Sequence, residues 1–181
     1  MKNKYLPILL GIILISISCE NIKKNQLIEE AEKHKKLGNY NHAIEIYDKL
    51  IRLDSSDEGS YIMKGHIFNE LQELNKAEEA FQTALNINPK NLWGYAGLSN
   101  TKREKRDYIS ALELINKSIE LSPKNETTIN SQYQILQEIS RFIETTKDIE
   151  KSCQYSERAQ LVCSNKMSIE FIKEIKKKVC H

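Results

Sequence analysis

The sequence predicts an all-α fold: an α-solenoid of three stacked helix-turn-helix units, closed at its C-terminal end by capping helices. Three observations point there. A set of small and large residues returns every 34 positions, the signature of a repeat architecture. Each period reads as two amphipathic helices. The 181-residue chain also holds only six Gly and three Pro, and is rich in the helix formers Glu, Lys, Leu, Ile and Ala.

The first segment, residues 1–18, reads as an address rather than as part of the fold. Lys2 and Lys4 form a short positive region, and Leu6 to Ile17 form an apolar run broken only by Pro7, Gly11 and Ser16. The run is too short for a comfortable membrane span and suits a signal-peptide core. It ends at Ser18-Cys19. This pattern resembles a bacterial lipoprotein signal, in which the cysteine is lipidated and becomes the first mature residue. Ser16 stands where the family usually has Leu, with Ile15 just upstream. The resemblance implies lipidation at Cys19, with residues 19–25 as a short tether. Extended, its polar part would span about 20 Å and keep the repeats near the bilayer. An ordinary cleaved signal or an uncleaved anchor are the alternatives, and both still place the remainder outside the cytoplasm. The expected localisation is the bacterial cell envelope, periplasmic or surface-facing.

The repeats follow, in residues 26–125. The segments 39–57, 73–91 and 107–125 align without gaps. Ala43, Ala77 and Ala111 recur at the period, as do Tyr40, Leu74 and Tyr108 three places earlier. Tyr47, Phe81 and Ile115 follow four places after the alanines, and Leu53, Ile87 and Leu121 precede a turn reading Ser55, Pro89 and Pro123. Upstream, Ala31, Gly65 and Ser99 also keep the period. Small residues let two helices approach, large ones fill the adjoining gap, and proline ends a helix. These positions resemble the tetratricopeptide repeat, with units at 24–57, 58–91 and 92–125. That resemblance implies a right-handed superhelix. The first unit departs from the family pattern at Ser55, and its packing positions Glu30 and His34 are unusually polar.

Residues 126–181 read as a degenerate fourth repeat and capping helices. Ile129, Tyr133, Leu136 and Ile139 keep a helical face through 126–152, and Phe142 lies one period after Tyr108, but Thr145 replaces the alanine. A last helix over 168–179 carries Ile169, Ile172, Ile175 and Val179 on one side and lysines on the other, suited to covering the apolar end of the stack. In an exported protein Cys153 and Cys163 are a candidate disulfide across a turn between two helices. Three pairings exist with Cys180 included, one thiol is always left over, and buried free thiols remain the alternative.

The sequence carries few motifs of catalytic chemistry. No glycine loop, H-E-x-x-H or G-x-S-x-G is present. His34, His42, His66 and His181 are dispersed; a metal site from His34 and His42 is conceivable, but they fall on different helices of one unit, and packing or surface roles are expected. Cys180 beside His181 lacks an orienting partner. The run Lys176–Lys178 reads as a solvated face rather than a lipid contact. No cofactor and no metal are expected. Lys and Arg total 27 against 25 Asp and Glu, and the surplus is Lys2 and Lys4, so the remainder is balanced and gives no electrostatic case for a nucleic-acid partner.

The expected function is therefore a non-catalytic scaffold or adaptor, not an enzyme, lipid-anchored in the envelope and binding a protein partner. The family resemblance implies that a peptide or helix lies in a groove lined by the first helix of each unit. The residues it assigns are Ile28, Glu32, Lys35 and Lys36, then Ile62, His66 and Asn69, then Trp93, Ala96, Asn100 and Arg103. The face shows no cluster of Lys and Asn of the kind some members use to clamp a terminal carboxylate. The family also allows homo-oligomers. An enzyme with a site in the C-terminal region, or a structural subunit of an envelope complex, are the alternatives.

Overall fold

A computed structural model describes residues 6–145 and 166–179. Among them are eight helices and no strand: α1 (Leu6–Lys36), α2 (Tyr40–Leu53), α3 (Glu58–Glu70), α4 (Leu74–Ile87), α5 (Leu92–Glu104), α6 (Tyr108–Leu121), α7 (Glu126–Thr145) and α8 (Lys166–Val179). The all-α expectation holds. The chain forms two compact units, residues 1–60 and 61–181.

In the first unit α1 folds back against α2. The reversal is made at Gly38, whose φ of 75° is a left-handed conformation that glycine adopts without a Cβ clash. The Asn39 N–H donates to the His34 carbonyl at 2.9 Å and closes the helix end. Ala31, Ala43, Ile46, Tyr47 and Leu50 are buried, so the predicted small and large positions make the core. Helix α1 runs without a break through Cys19, so the stretch 19–25 is helical rather than extended. At 1.5 Å per residue it spans about 10 Å instead of about 20 Å. No described helix is long and apolar enough to cross a membrane.

In the second unit α4, α5, α6 and α7 pack in chain order, and α8 packs on α7. The turns carry the period as clearly as the core does. Gln72 and Arg106 take φ of 59° and 62°, one and two periods after Gly38. A non-glycine residue there costs about 1 kcal/mol, which the packing of the flanking helices must offset. Asn91 accepts from the N–H groups of Trp93 (2.9 Å) and Gly94 (3.2 Å) and so caps α5. Asn125 accepts from the N–H of Thr128, one period later.

Phe81 is the wedge of this unit. It is fully buried, and Gly65 on α3 and Gly97 on α5 face it so closely that a Cβ on either would lie within 3 Å of the ring. A second core joins Ile109, Leu112 and Ile115 of α6, Ile135, Leu136 and Ile139 of α7, and Ile172 of α8. Ile172 thus brings the last helix onto the α6–α7 core. Two pairs of polar groups lie inside: the Ser99 hydroxyl donates to the Ala111 carbonyl at 2.7 Å, and the Gln132 amide donates to Asn116.

Helix α7 runs past the point where a regular repeat would turn. A fourth repeat needs a turn one period after Arg106, at Ser140, but α7 continues helically through Ser140 to Thr145. The face carried by Ile135, Leu136 and Ile139 packs along the helix, and no left-handed residue interrupts it. Residues 146–152, and Cys153, Cys163 and Cys180, lie outside the described residues.

Candidate functional site

Arg103, one of the residues assigned to the groove in the second unit, lines a cavity. It sits on the last turn of α5, and its guanidinium is held by Asn100, whose Oδ1 accepts from Nη2 at 2.8 Å and from Nε at 3.3 Å. Glu104 takes a further contact from Nη2 at 2.6 Å. The left-handed Arg106 then turns the chain into α6, with the Asp107 N–H donating to the Lys102 carbonyl at 2.9 Å. Tyr108 opens α6 and faces Phe142 of α7, with ring centroids 6.4 Å apart.

The space between these helix ends is a cavity of about 470 Å³, lined by Arg103, Glu104, Arg106, Tyr108, Glu138, Arg141 and Phe142. Arg141 contacts Glu138 at 3.0 Å. Three guanidinium groups face two carboxylates, so the lining is net cationic. Guanidinium forks bind carboxylates through two parallel hydrogen bonds, and the two rings offer apolar contact beside them. Tyr108 adds a phenolic hydroxyl to the lining, the remainder of which is arginine, glutamate and the Phe142 ring.

A second cavity, of about 550 Å³, lies between α4, α5 and α6 and is floored by an ion-pair cluster. Glu78 accepts from Lys102 at 2.6 Å and also from Lys105. The Lys102 hydrogen bond, then that of Lys105, holds the Glu78 carboxyl below the usual carboxylate range.

The structure buries two other residues assigned to the groove, Ile62 and Asn69, and half-buries His66 and Ala96. Ile62 is 6% exposed and belongs to the core around Phe81. Asn69 is buried, its Oδ1 accepting from Thr101 at 3.0 Å, while its Nδ2 has no partner among the described residues. His66 lies edge-on to Phe81 at 5.1 Å, and Ala96 packs against the α6–α7 core. Trp93 is 46% exposed on the first turn of α5 and is not part of either cavity.

In the first unit, Glu32 accepts from the buried Tyr47 hydroxyl at 2.8 Å. Burial, then that carboxylate, pushes the tyrosine pKa well above its ordinary value. Ile28 and Lys36 are exposed and Lys35 is half-buried. His34 and His42, on different helices as expected, meet: their rings lie 4.3 Å apart, with Glu30 beside them.

Arg106, Glu138, Arg141 and the ring pair were not legible as a site. The one signal for them is that Phe142 follows Tyr108 by one period.

The family model for the tetratricopeptide repeat matches residues 28–57 and 58–91. A cell division cycle protein 27 homolog of Caenorhabditis elegans is 29% identical over 90 residues, which are 50% of this chain and 11% of that protein. The chain therefore spans a small part of that relative. Among solved structures, the first TPR of Spaghetti (RPAP3), bound to an HSP90 peptide, has a TM-score of 0.60 at 22% identity, covering 65% of this chain and 94% of that one. The Sgt2 TPR domain from Aspergillus fumigatus has a TM-score of 0.64 at 16% identity, covering 70% of this chain and 85% of that one. The repeat is matched over residues 28–91, and with the 34-residue period and its buried positions these likenesses establish an all-α, helical-repeat fold.

Proposed function

We propose that this chain is a non-catalytic protein-binding scaffold, tethered by a lipid on Cys19 in a bacterial cell envelope, which takes an acidic peptide segment of a partner protein. The cavity at the ends of α5, α6 and α7 carries the reading, because three arginines around a tyrosine–phenylalanine pair form a receptor for carboxylates next to an apolar side chain. The similar fold of Spaghetti (RPAP3) holds the peptide SRMEEVD, which is itself rich in carboxylates. The anchor rests on the sequence alone: a positive start, a short apolar run and Ser18-Cys19. A tethered receptor gains effective concentration for any partner in the same envelope layer, so modest pocket affinity suffices.

The test is a crosslinking pull-down from intact cells, read by mass spectrometry, with the native chain, Cys19→Ala and Arg103→Glu. The proposal expects one defined envelope protein, displaced without the lipid and lost on charge reversal. If no protein rises above background with the native chain, the scaffold reading is wrong.

A further inference from the structure

Glu30, His34 and His42 are three metal-competent side chains whose ligand atoms all lie within 4.8 Å of one another. Glu30 and His34 are four residues apart on α1 and so share one face of that helix. His42 comes from the first turn of α2, brought across by the tight reversal at Gly38. That reversal is tied by backbone hydrogen bonds from Asn39 to His34 (2.9 Å) and from Gly38 to Lys35 (3.0 Å), so the helix ends that carry the two histidines are set by the fold. We propose that Glu30, His34 and His42 form a site for a divalent zinc-class transition-metal ion that bridges α1 and α2.

The donor set argues for that class of ion. Two imidazoles and one carboxylate suit zinc, whereas magnesium and calcium take oxygen ligands. In a tetrahedral zinc site with bonds near 2.0 Å, ligand atoms are roughly 3.3 Å apart. Closing from 4.8 Å needs only side-chain rotation, because Glu30 and His42 are exposed and His34 is half-buried. Three protein ligands leave a fourth position for water.

The surroundings suit the rings to the task. The Glu45 carboxylate lies 3.5 Å from His42 Nδ1, where it holds a proton on that nitrogen and leaves Nε2 for the ion. The Asn39 amide lies 3.5 Å from His34 Nδ1. With its oxygen turned to that nitrogen it does the same for His34. Lys33 and Lys35 adjoin His34 in sequence, but neighbours one apart on a helix do not share a face. The site also accounts for the polar residues Glu30 and His34 at positions where a repeat ordinarily packs apolar side chains.

The experiment is calorimetric titration of zinc chloride into the full, chelator-stripped chain, beside His42→Ala, His34→Ala and Glu30→Gln. Because all forms keep the same cysteines, any difference belongs to this cluster. The expected result is one site that is lost in either histidine variant and at least about tenfold weaker in Glu30→Gln, with no binding of magnesium. Zinc should raise the thermal unfolding midpoint of the native chain and not that of His42→Ala. His42 is exposed and alanine favours helix, so that variant retains its fold. No zinc binding, or binding unchanged by the histidine substitutions, overturns the site. Native-like binding by Glu30→Gln removes the carboxylate and overturns the three-ligand form.

Discussion

Replacing Gly97 with alanine should destabilise the second unit, although alanine is the better helix former by about 1 kcal/mol. The reason is Phe81. A Cβ at position 97 would lie 2.2 Å from one ring carbon and 2.5 Å from the next, where carbon atoms prefer about 3.5–4.0 Å. The ring would have to retreat by more than about 1 Å. It has no room, because Gly65 closes the other side, with its own would-be Cβ only 2.7 Å from the ring. Phe81 is fully buried, so the strain cannot be relieved into solvent. Overpacking of this kind costs about 1–3 kcal/mol, and a clash this short belongs at the upper end. After the helix-propensity gain, a net loss of about 1–2 kcal/mol is expected. The assay is urea unfolding followed by far-UV circular dichroism. Gly59→Ala is the control, since its Cβ meets only Asp57 Oδ1 at 3.3 Å, and it should stay within about 0.5 kcal/mol of the native chain. Phe81→Leu should cost less in the Gly97→Ala background than alone, because the smaller side chain relieves the clash. A Gly97→Ala chain as stable as the native one would refute the wedge argument.

Other perturbations test other parts of the molecule. Ile172→Ala should cost about 2–4 kcal/mol in urea unfolding if α8 caps the α6–α7 core, and near-native stability would detach the cap from the fold. Tyr47→Phe removes the hydroxyl bonded to Glu32 and should cost about 1 kcal/mol; spectrophotometric titration should also lose its last-ionising tyrosine. The Glu78 carboxyl has a folded pKa below its ordinary 4.5, so its pairing with Lys102 and Lys105 stabilises the fold fully above that pH. That contribution is lost as pH falls through the depressed folded value. The cluster is partly solvent-exposed, so Glu78→Gln should cost only about 0.5–1 kcal/mol at neutral pH and nothing in strong acid; a penalty independent of pH would assign it to packing.

What the sequence shows of this molecule is its repeated part. Ala43, Ala77 and Ala111 are all fully buried, as are Tyr47, Phe81 and Ile115, because residues that recur at one spacing meet the same neighbours in each unit. Helices α2, α4 and α6 begin at Tyr40, Leu74 and Tyr108, one period apart, for the same reason. The period is silent where units differ. It placed Ile62 and Asn69 in a groove by analogy, but Phe81 and Thr101 take those side chains into the interior. The arginine cavity draws on the end of α7, where the repeat breaks down and the helix runs on past the expected turn. His34 and His42 were assigned to separate helices, which is correct, yet the reversal at Gly38 brings those helix ends together. Helical periodicity describes faces along one helix and carries no information about which ends meet across a turn.

The most direct test of the central claim is site-specific photocrosslinking in intact cells, with the reactive residue replacing Arg106 at the cavity rim and, as control, Lys49 on α2. The account predicts a discrete adduct with one protein from position 106, absent from position 49 and abolished when Arg103→Glu is added. Equal adducts from both positions, or an adduct at position 106 that survives the charge reversal, would contradict a receptor built from these arginines.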